Sequence, residues 1–201
     1  LGSIDMPSVR QIRRRIRSVD NTAKITKAMS MIAASKMRRA QEAALRGRPY
    51  SERLRDLLAD LAAQPHEEES LHHLLRRRDI NNVEIVHITP DRGLTGGLNT
   101  NINRAGAQLI LEQKAQVSII AAGRKGRDFM VRYGPEVRAV FTDLGDRPSL
   151  TDVTPIARLV IEEYTQERVD AVFLVYAQFV STTVQRPVVE PLSVLARRPV
   201  E

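Results

Sequence analysis

The sequence predicts an α/β protein: a long N-terminal coiled-coil helix, then a mostly parallel sheet covered by helices. Three observations carry this reading. Residues 8–63 return small or apolar side chains every three or four positions, with one glycine and one proline among them. From residue 82 the pattern changes to short apolar runs, rich in valine and isoleucine, that alternate with helical segments. Glycine and proline stand at the junctions between these segments, where a chain changes direction.

The first helix has its entry at Pro7 and Ser8, with Ser8 as the expected N-cap. Its register reads Ile12, Ile16, Val19, Ala23, Thr26, Ser30, Ala33, Met37, Ala40 and Ala44, then Leu54, Leu58 and Leu61. Spacings of four and three alternate, as in the seam of a coiled coil. At a rise of about 1.5 Å per residue the helix spans roughly 80 Å, more than the width of a small domain. Such a helix needs a partner along its length. The middle of the seam, Ala23 to Ala33, is small enough for two backbones to approach closely. Gly47 and Pro49 are expected to kink or locally disturb the helix, because proline removes one hydrogen bond and crowds the preceding turn.

Outside the seam this helix is crowded with cations, among them Arg10, Arg13, Arg14, Arg15, Arg17, Lys24, Lys27, Lys36, Arg38 and Arg39. They are either a solvated face or a surface that meets acidic protein or phosphate. A helix that reads DNA bases needs amide or aromatic readers among its arginines, and only Gln11, Asn21 and Gln41 are available. No nucleic-acid partner is therefore expected.

Residues 65–80 read as a linker, with Pro65, the acidic run 67–69, His72 and His73, and three arginines. The two histidines have no carboxylate or cysteine at a metal-ligand spacing, so a solvated linker is the reading. An α/β domain over residues 81–197 follows. Strands are expected at 83–88, 117–122, 137–142, 171–179 and 183–195, the second and fourth apolar enough to be buried on both faces. Helices are expected at 100–114, capped by Asn99 or Thr100, at 123–133, and from a cap at Ser149 or Thr151 to about residue 168. Strands that alternate with helices in this way describe a Rossmann-like sandwich.

The loop after its first strand, Asp91-Arg92-Gly93-Leu94-Thr95-Gly96-Gly97-Leu98-Asn99, is where such a fold could hold a phosphate. Its spacing matches neither G-x-G-x-x-G nor G-x-x-x-x-G-K-[ST]. No acidic residue stands near 121–123, where a ribose would be held. Asp91, Arg92, Gly93, Gly96 and Gly97 are read as a structural turn packed on a neighbouring element, with no nucleotide, no other cofactor and no metal.

Composition narrows the function classes further. A formal net charge of +7 favours acidic partners or an anionic surface. The absence of cysteine rules out disulfides and thiolate metal sites. No apolar run approaches the ~18 residues of a membrane span, and no secretory signal is read, so a soluble intracellular chain is expected. Residues 1–5 read as a cloning scar ahead of a start at Met6. No general base stands beside a nucleophile, so no catalytic residue is assigned.

Residues 18–41, SVDNTAKITKAMSMIAASKMRRAQ, closely resemble the N-terminal helix of the gamma subunit of F-type ATP synthase. The resemblance continues through the glycine loop, where Thr95 stands for a common cysteine and Pro90 for a usual serine. It extends through Gly123-Arg124-Lys125-Gly126, Tyr176-Ala177-Gln178-Phe179 and Gln185-Arg186-Pro187. Family members continue into a second long helix, so the resemblance implies a truncated form. It also implies a non-catalytic rotor that couples proton flow to ATP synthesis on the beta subunits. The implied partners are the alpha and beta subunits, the epsilon subunit and the ring of c subunits. The implied place is peripheral, on the cytoplasmic side of a bacterial cell membrane. Lys24, Lys27, Met29, Lys36, Arg38 and Arg39 then become rotor–stator contacts. The seam residues Ile12, Ile16, Val19, Ala23, Ala33, Met37, Leu54 and Leu58 lack their family partner, and self-association through them is expected. The alternatives, set by the basic helix and the glycine loop, are a nucleic-acid-binding protein and a Rossmann-like nucleotide-binding enzyme.

Overall fold

The structure, a computed structural model, describes residues 8–63, Leu74 and residues 78–192. The candidate tag at 1–6, His72 and His73 of the linker, and the end of the domain from 193 lie outside these residues. The chain divides into two compact units, residues 1–53 and 54–201.

Helix α1 runs Val9–Ala63, 55 residues. Ser8 caps it reciprocally with Gln11: the Ser8 amide donates to Gln11 Oε1 at 2.8 Å and the Gln11 amide to Ser8 Oγ at 3.4 Å. This pair meets two amides that the helix itself leaves without acceptors. Asp20–Lys24 at 2.8 Å and Arg38–Glu42 at 3.3 Å are ion pairs one turn apart. The disturbance expected at residues 47–49 does not interrupt the helix, which stays assigned straight through Pro49. Proline forfeits a single amide donor, and the helical bonds on both sides are retained.

The sheet unit contains β1 (Asn82–Ile88), α2 (Leu98–Glu112), β2 (Gln116–Ala122), α3 (Arg124–Tyr133), β3 (Glu136–Phe141), α4 (Leu150–Thr165), β4 (Ala171–Phe179) and β5 (Gln185–Pro191). The strand order is β3-β2-β1-β4-β5. The first four are mutually parallel, and β5 is antiparallel to β4. This is the mostly parallel, helix-covered sheet that the alternating pattern predicts. As expected, the interior strand β2 is buried along most of its length.

Two cores hold the helices to the sheet. On one face Ile102 and Leu109 of α2 and Met130 of α3 pack with Val83, Ile85, Ile119, Ala121 and Val175. On the other, Val160 and Tyr164 of α4 pack with Val86, Ile120, Val169 and Val172. Burying side chains of this size contributes about 1.5–3 kcal/mol each, which makes these layers the main source of stability in the unit. Ser149 caps α4 in a box with Asp152, whose carboxyl is held below its usual range by the bonds from Ser149.

Helix α2 starts two residues earlier than expected, at Leu98, with Gly97 in the cap position. The Asn99 side chain is not the cap, because its amide group donates instead to the Arg92 carbonyl at 3.3 Å. On the outer strand, the Leu192 amide bonds Val172, so the backbone groups of residues 187, 189 and 191 face away from β4. Two of these three are proline and lack an N–H. The open edge therefore offers little to a further strand.

Candidate functional site

Two places carry the residues singled out by sequence: the surface of α1 and the loops at the C-terminal ends of β1 and β2. On α1 every one of the expected contact residues is exposed. At about 100° per residue, Lys24, Lys27, Arg38 and Arg39 fall within one arc of roughly 120°. Ile12, Ile16, Val19, Ala23, Ala33 and Met37 fall in a neighbouring arc of roughly 100°. Met29 and Lys36 lie between the two arcs and join neither. The helix thus has a cationic face and an apolar face, and Lys24 and Arg38 keep their acidic neighbours Asp20 and Glu42. Around Ser18, Val19, Thr22, Ala23, Thr26 and Ser30 the small side chains leave a shallow, open groove. The hydroxyls of Thr22 and Thr26 bond back to the carbonyls of Ser18 and Thr22, so this groove is less polar than its composition suggests. Its chemistry is that of a contact surface, suited to a second helix.

The strand order turns at β1, so the loops after β1 and β4 flank the position where ligands bind in related sheets. The first turn of α3 is already satisfied by the loop after β1. Asp91 Oδ1 accepts from the Arg124 amide at 2.8 Å, the Pro90 carbonyl from Lys125 at 3.2 Å and Thr89 Oγ1 from Gly126 at 2.7 Å. The other Asp91 oxygen accepts from the Asp143 amide at 2.9 Å, and Arg124 pairs with the Asp143 carboxylate. Asp91 is therefore a tie between three segments. Gly96 and Leu94 adopt left-handed backbone, φ +60° and +58°, and Gly93 lies over the Lys125 side chain. Arg92 enters through its carbonyl, which accepts from Asn99. Gly97, in right-handed backbone, opens α2. Of the five loop residues, Asp91 and the Arg92 carbonyl are bonded to neighbouring segments, while Thr95 Oγ1 and Asn99 Oδ1 in the same loop are buried without a partner among the described residues.

Sequence reasoning missed two polar clusters. Glu84 on β1 is buried; Ser118 donates to its Oε1 at 3.4 Å and Arg138 Nη1 lies 3.9 Å from the same oxygen. Its Oε2 has no partner among the described residues. Burial pushes this carboxyl up to about 7, against the pull of Arg138. Glu163 of α4 pairs with both Arg138 and Arg168, which hold its carboxyl below the usual range. The only signal in sequence is a glutamate inside an apolar strand run. The second cluster joins Arg55 in the last turns of α1 to Glu190 and Tyr176. No spacing rule connects these three. On the opposite face of the sheet His87 is buried between Gly106 and Gly126, its Nε2 bonded to Asn103 Oδ1 at 2.9 Å, and burial lowers its pKa.

Among the described residues no group of three or more metal-ligating side chains converges, and no helix is long and apolar enough to cross a membrane.

The chain matches the ATP synthase family over residues 8–199. It is 52% identical over 187 residues to an ATP synthase gamma chain of Dehalococcoides mccartyi, covering 93% of this chain and 66% of that one. To the ATP synthase gamma chain of Herpetosiphon aurantiacus it is 47% identical over 191 residues, 90% of this chain and 65% of that one. The chain thus spans just under two thirds of the length of these relatives. Its fold is similar to a chain in the central stalk and c-ring structure of the Tetrahymena thermophila mitochondrial ATP synthase, with a TM-score of 0.61. That chain is 24% identical, and the match covers 84% of this chain and 72% of the other.

Proposed function

Because this chain belongs to the gamma-chain family of ATP synthase, we propose that it is the rotor of the central stalk. It acts without catalysis of its own, as a shaft between ion flow and ATP synthesis on the beta subunits. The observation that carries this reading is α1 itself: 55 residues of helix with a cationic face and an exposed apolar face. A stiff helix of this kind couples its own angle to the nucleotide affinity of the subunits around it, and the coupling is reciprocal. The stators are alpha and beta subunits, met by Lys24, Lys27, Met29, Lys36, Arg38 and Arg39. The sheet unit faces an epsilon subunit and a c-subunit ring, and the whole is peripheral to a bacterial membrane on its cytoplasmic side. Ion flow is taken to be of protons.

Coexpressed with alpha and beta subunits, this subunit is expected to copurify with them in one complex. Reversing Lys24, Lys27 and Arg38 to glutamate together should weaken that association about tenfold at low salt, and by less as salt rises. Failure of the wild-type chain to join the complex would overturn the rotor reading.

The seam supplies a second test. Ile12, Ile16, Val19, Met37, Leu54 and Leu58 are all exposed in this chain, and leaving large apolar side chains in water is costly. In sedimentation the 201-residue chain is expected to self-associate with rising concentration. Replacing Ala33 by arginine should weaken this association, since it places an unpaired charge in the contact. A monomer that persists at high concentration removes the seam from the proposal.

A further inference from the structure

The last turns of α1, from Leu54 onward, lie in the same compact unit as the sheet. Apolar contact in residues 54–60 is thin: Leu54, Leu57 and Leu58 are exposed, and Ala59 is partly covered. Apolar contact is also non-directional, so a row of half-covered leucines lets a helix roll or slide.

A polar cluster at this place does have direction. Arg55 Nη2 lies 2.6 Å from Glu190 Oε1 on β5. The Tyr176 hydroxyl on β4 donates to Glu190 Oε2 at 2.9 Å. Both oxygens of one carboxylate are thus engaged, by groups from two different elements. Tyr176 pairs with Val188 across the β4–β5 ladder and Leu174 with Glu190, so sheet register fixes where the carboxylate stands. The Glu190 side chain is 25% exposed, which leaves its charge only partly screened by water. Burial and the bond to Glu190 raise the Tyr176 phenol above its ordinary pKa, so it remains a donor at neutral pH. Charge-assisted bonds of this kind are short and depend on alignment, so rotation of the helix breaks them.

We propose that Arg55, Glu190 and Tyr176 form a clasp that fixes the rotational setting of the α1 tail on the sheet and passes torsion between them. The torsional role rests on the rotor reading; the clasp stands on the geometry alone. Arg55 is a positioning residue that acts through Glu190.

The test reads two quantities. In the isolated chain, amide exchange of residues 54–63 should rise about fivefold in Arg55→Ala and in Glu190→Gln. It should stay unchanged in the control Arg53→Ala, and the swap Arg55→Glu with Glu190→Arg should restore protection. In the complex with alpha and beta subunits, torsional compliance measured by single-molecule rotation should increase in Arg55→Ala and return in the swap. Equal exchange in Arg55→Ala and Arg53→Ala would overturn the clasp. Raised exchange with unchanged compliance would overturn its torsional role. A wild-type chain that never assembles or turns with alpha and beta subunits would instead count against the rotor reading.

Discussion

Replacing Gly123 by alanine should cost the sheet unit about 4 kcal/mol or more, enough to leave little folded protein. Two independent effects add at this residue. Its backbone sits at φ +106°, ψ 144°, a region open almost only to glycine, where an L side chain is strained by about 1–3 kcal/mol. A Cβ there would also run into the Thr89 carbonyl, with the Thr89 hydroxyl 2.8 Å away. Neither neighbour can withdraw cheaply. The Thr89 amide bonds Ala122 at 2.8 Å and the Gly123 amide bonds Phe141 at 2.7 Å, so the collision lies inside the strand ends that position α3. Gly145 is the control: it also has positive φ, +73°, but no atom of the described residues lies within 4 Å of its added Cβ. Alanine at 145 should therefore cost only the backbone term, about 1 kcal/mol. Urea denaturation of both variants decides the matter. Losses that agree within about 1 kcal/mol would mean that the Thr89 collision relaxes and that backbone conformation alone sets the cost.

How far the sequence could be read follows from the range of each interaction. The order of strands and helices was legible because it rests on local periodicity: 116–122 is apolar on both faces, and 171–179 nearly so. The cap of α4 was narrowed to Ser149 or Thr151, and the box with Asp152 selects Ser149; the cap at Ser8 was legible because serine there precedes the helical register. The start of α2 was misplaced because Asn99 and Thr100 are good caps in isolation. Asn99 is drawn off by the Arg92 carbonyl, a bond that depends on how the glycine loop folds back. The single helix expected over residues 7–64 is continuous from Val9 to Ala63, with Pro49 inside it. Proline's cost is local and limited to about 3 kcal/mol, so long flanking helices can absorb it. In the candidate site, the faces of Lys24, Lys27, Arg38 and Arg39 and of the seam from Ile12 to Met37 could be placed from sequence, because helical geometry alone sets them. The roles of Asp91, Glu84 and Arg55 could not, since each is defined by partners on other elements that only the tertiary fold brings near.

Glu84 gives the second large effect, and it is expected as a dependence of stability on pH. Its carboxyl is fully buried on the α4 face of the sheet, with one oxygen unpartnered among the described residues and with Arg138 largely committed to Glu163. The groups that face it are Ser118 from β2, Arg138 from β3, Glu163 from α4 and Arg168 beyond α4. Burial outweighs the two arginines, and the pKa rises from 4.5 to about 7. Below about pH 4.5 both folded and unfolded chains hold the proton, and Glu84 contributes nothing to the balance. As pH rises from 4.5 to 7 the unfolded chain ionises first, so stability falls through this window and stays lowered above it. At 1.36 kcal/mol per unit the loss approaches about 3 kcal/mol. Glu163 works in the opposite sense, because its lowered pKa gives stability that disappears as pH falls through the acid range. His87 adds to the acid loss, because its lowered pKa makes stability fall as pH drops below about 6.5, so the Glu84 contribution is isolated by comparing a non-ionising variant with the wild type across pH. Glu84→Gln keeps the shape and an acceptor for Ser118 but cannot ionise. Its stability should equal that of the wild type at pH 4 and exceed it by about 2–3 kcal/mol at pH 8. Urea denaturation at the two pH values, with exchange of the β1 and β2 amides as the local readout, measures this difference. Parallel pH profiles for the variant and the wild type would show that Glu84 is not the titrating group.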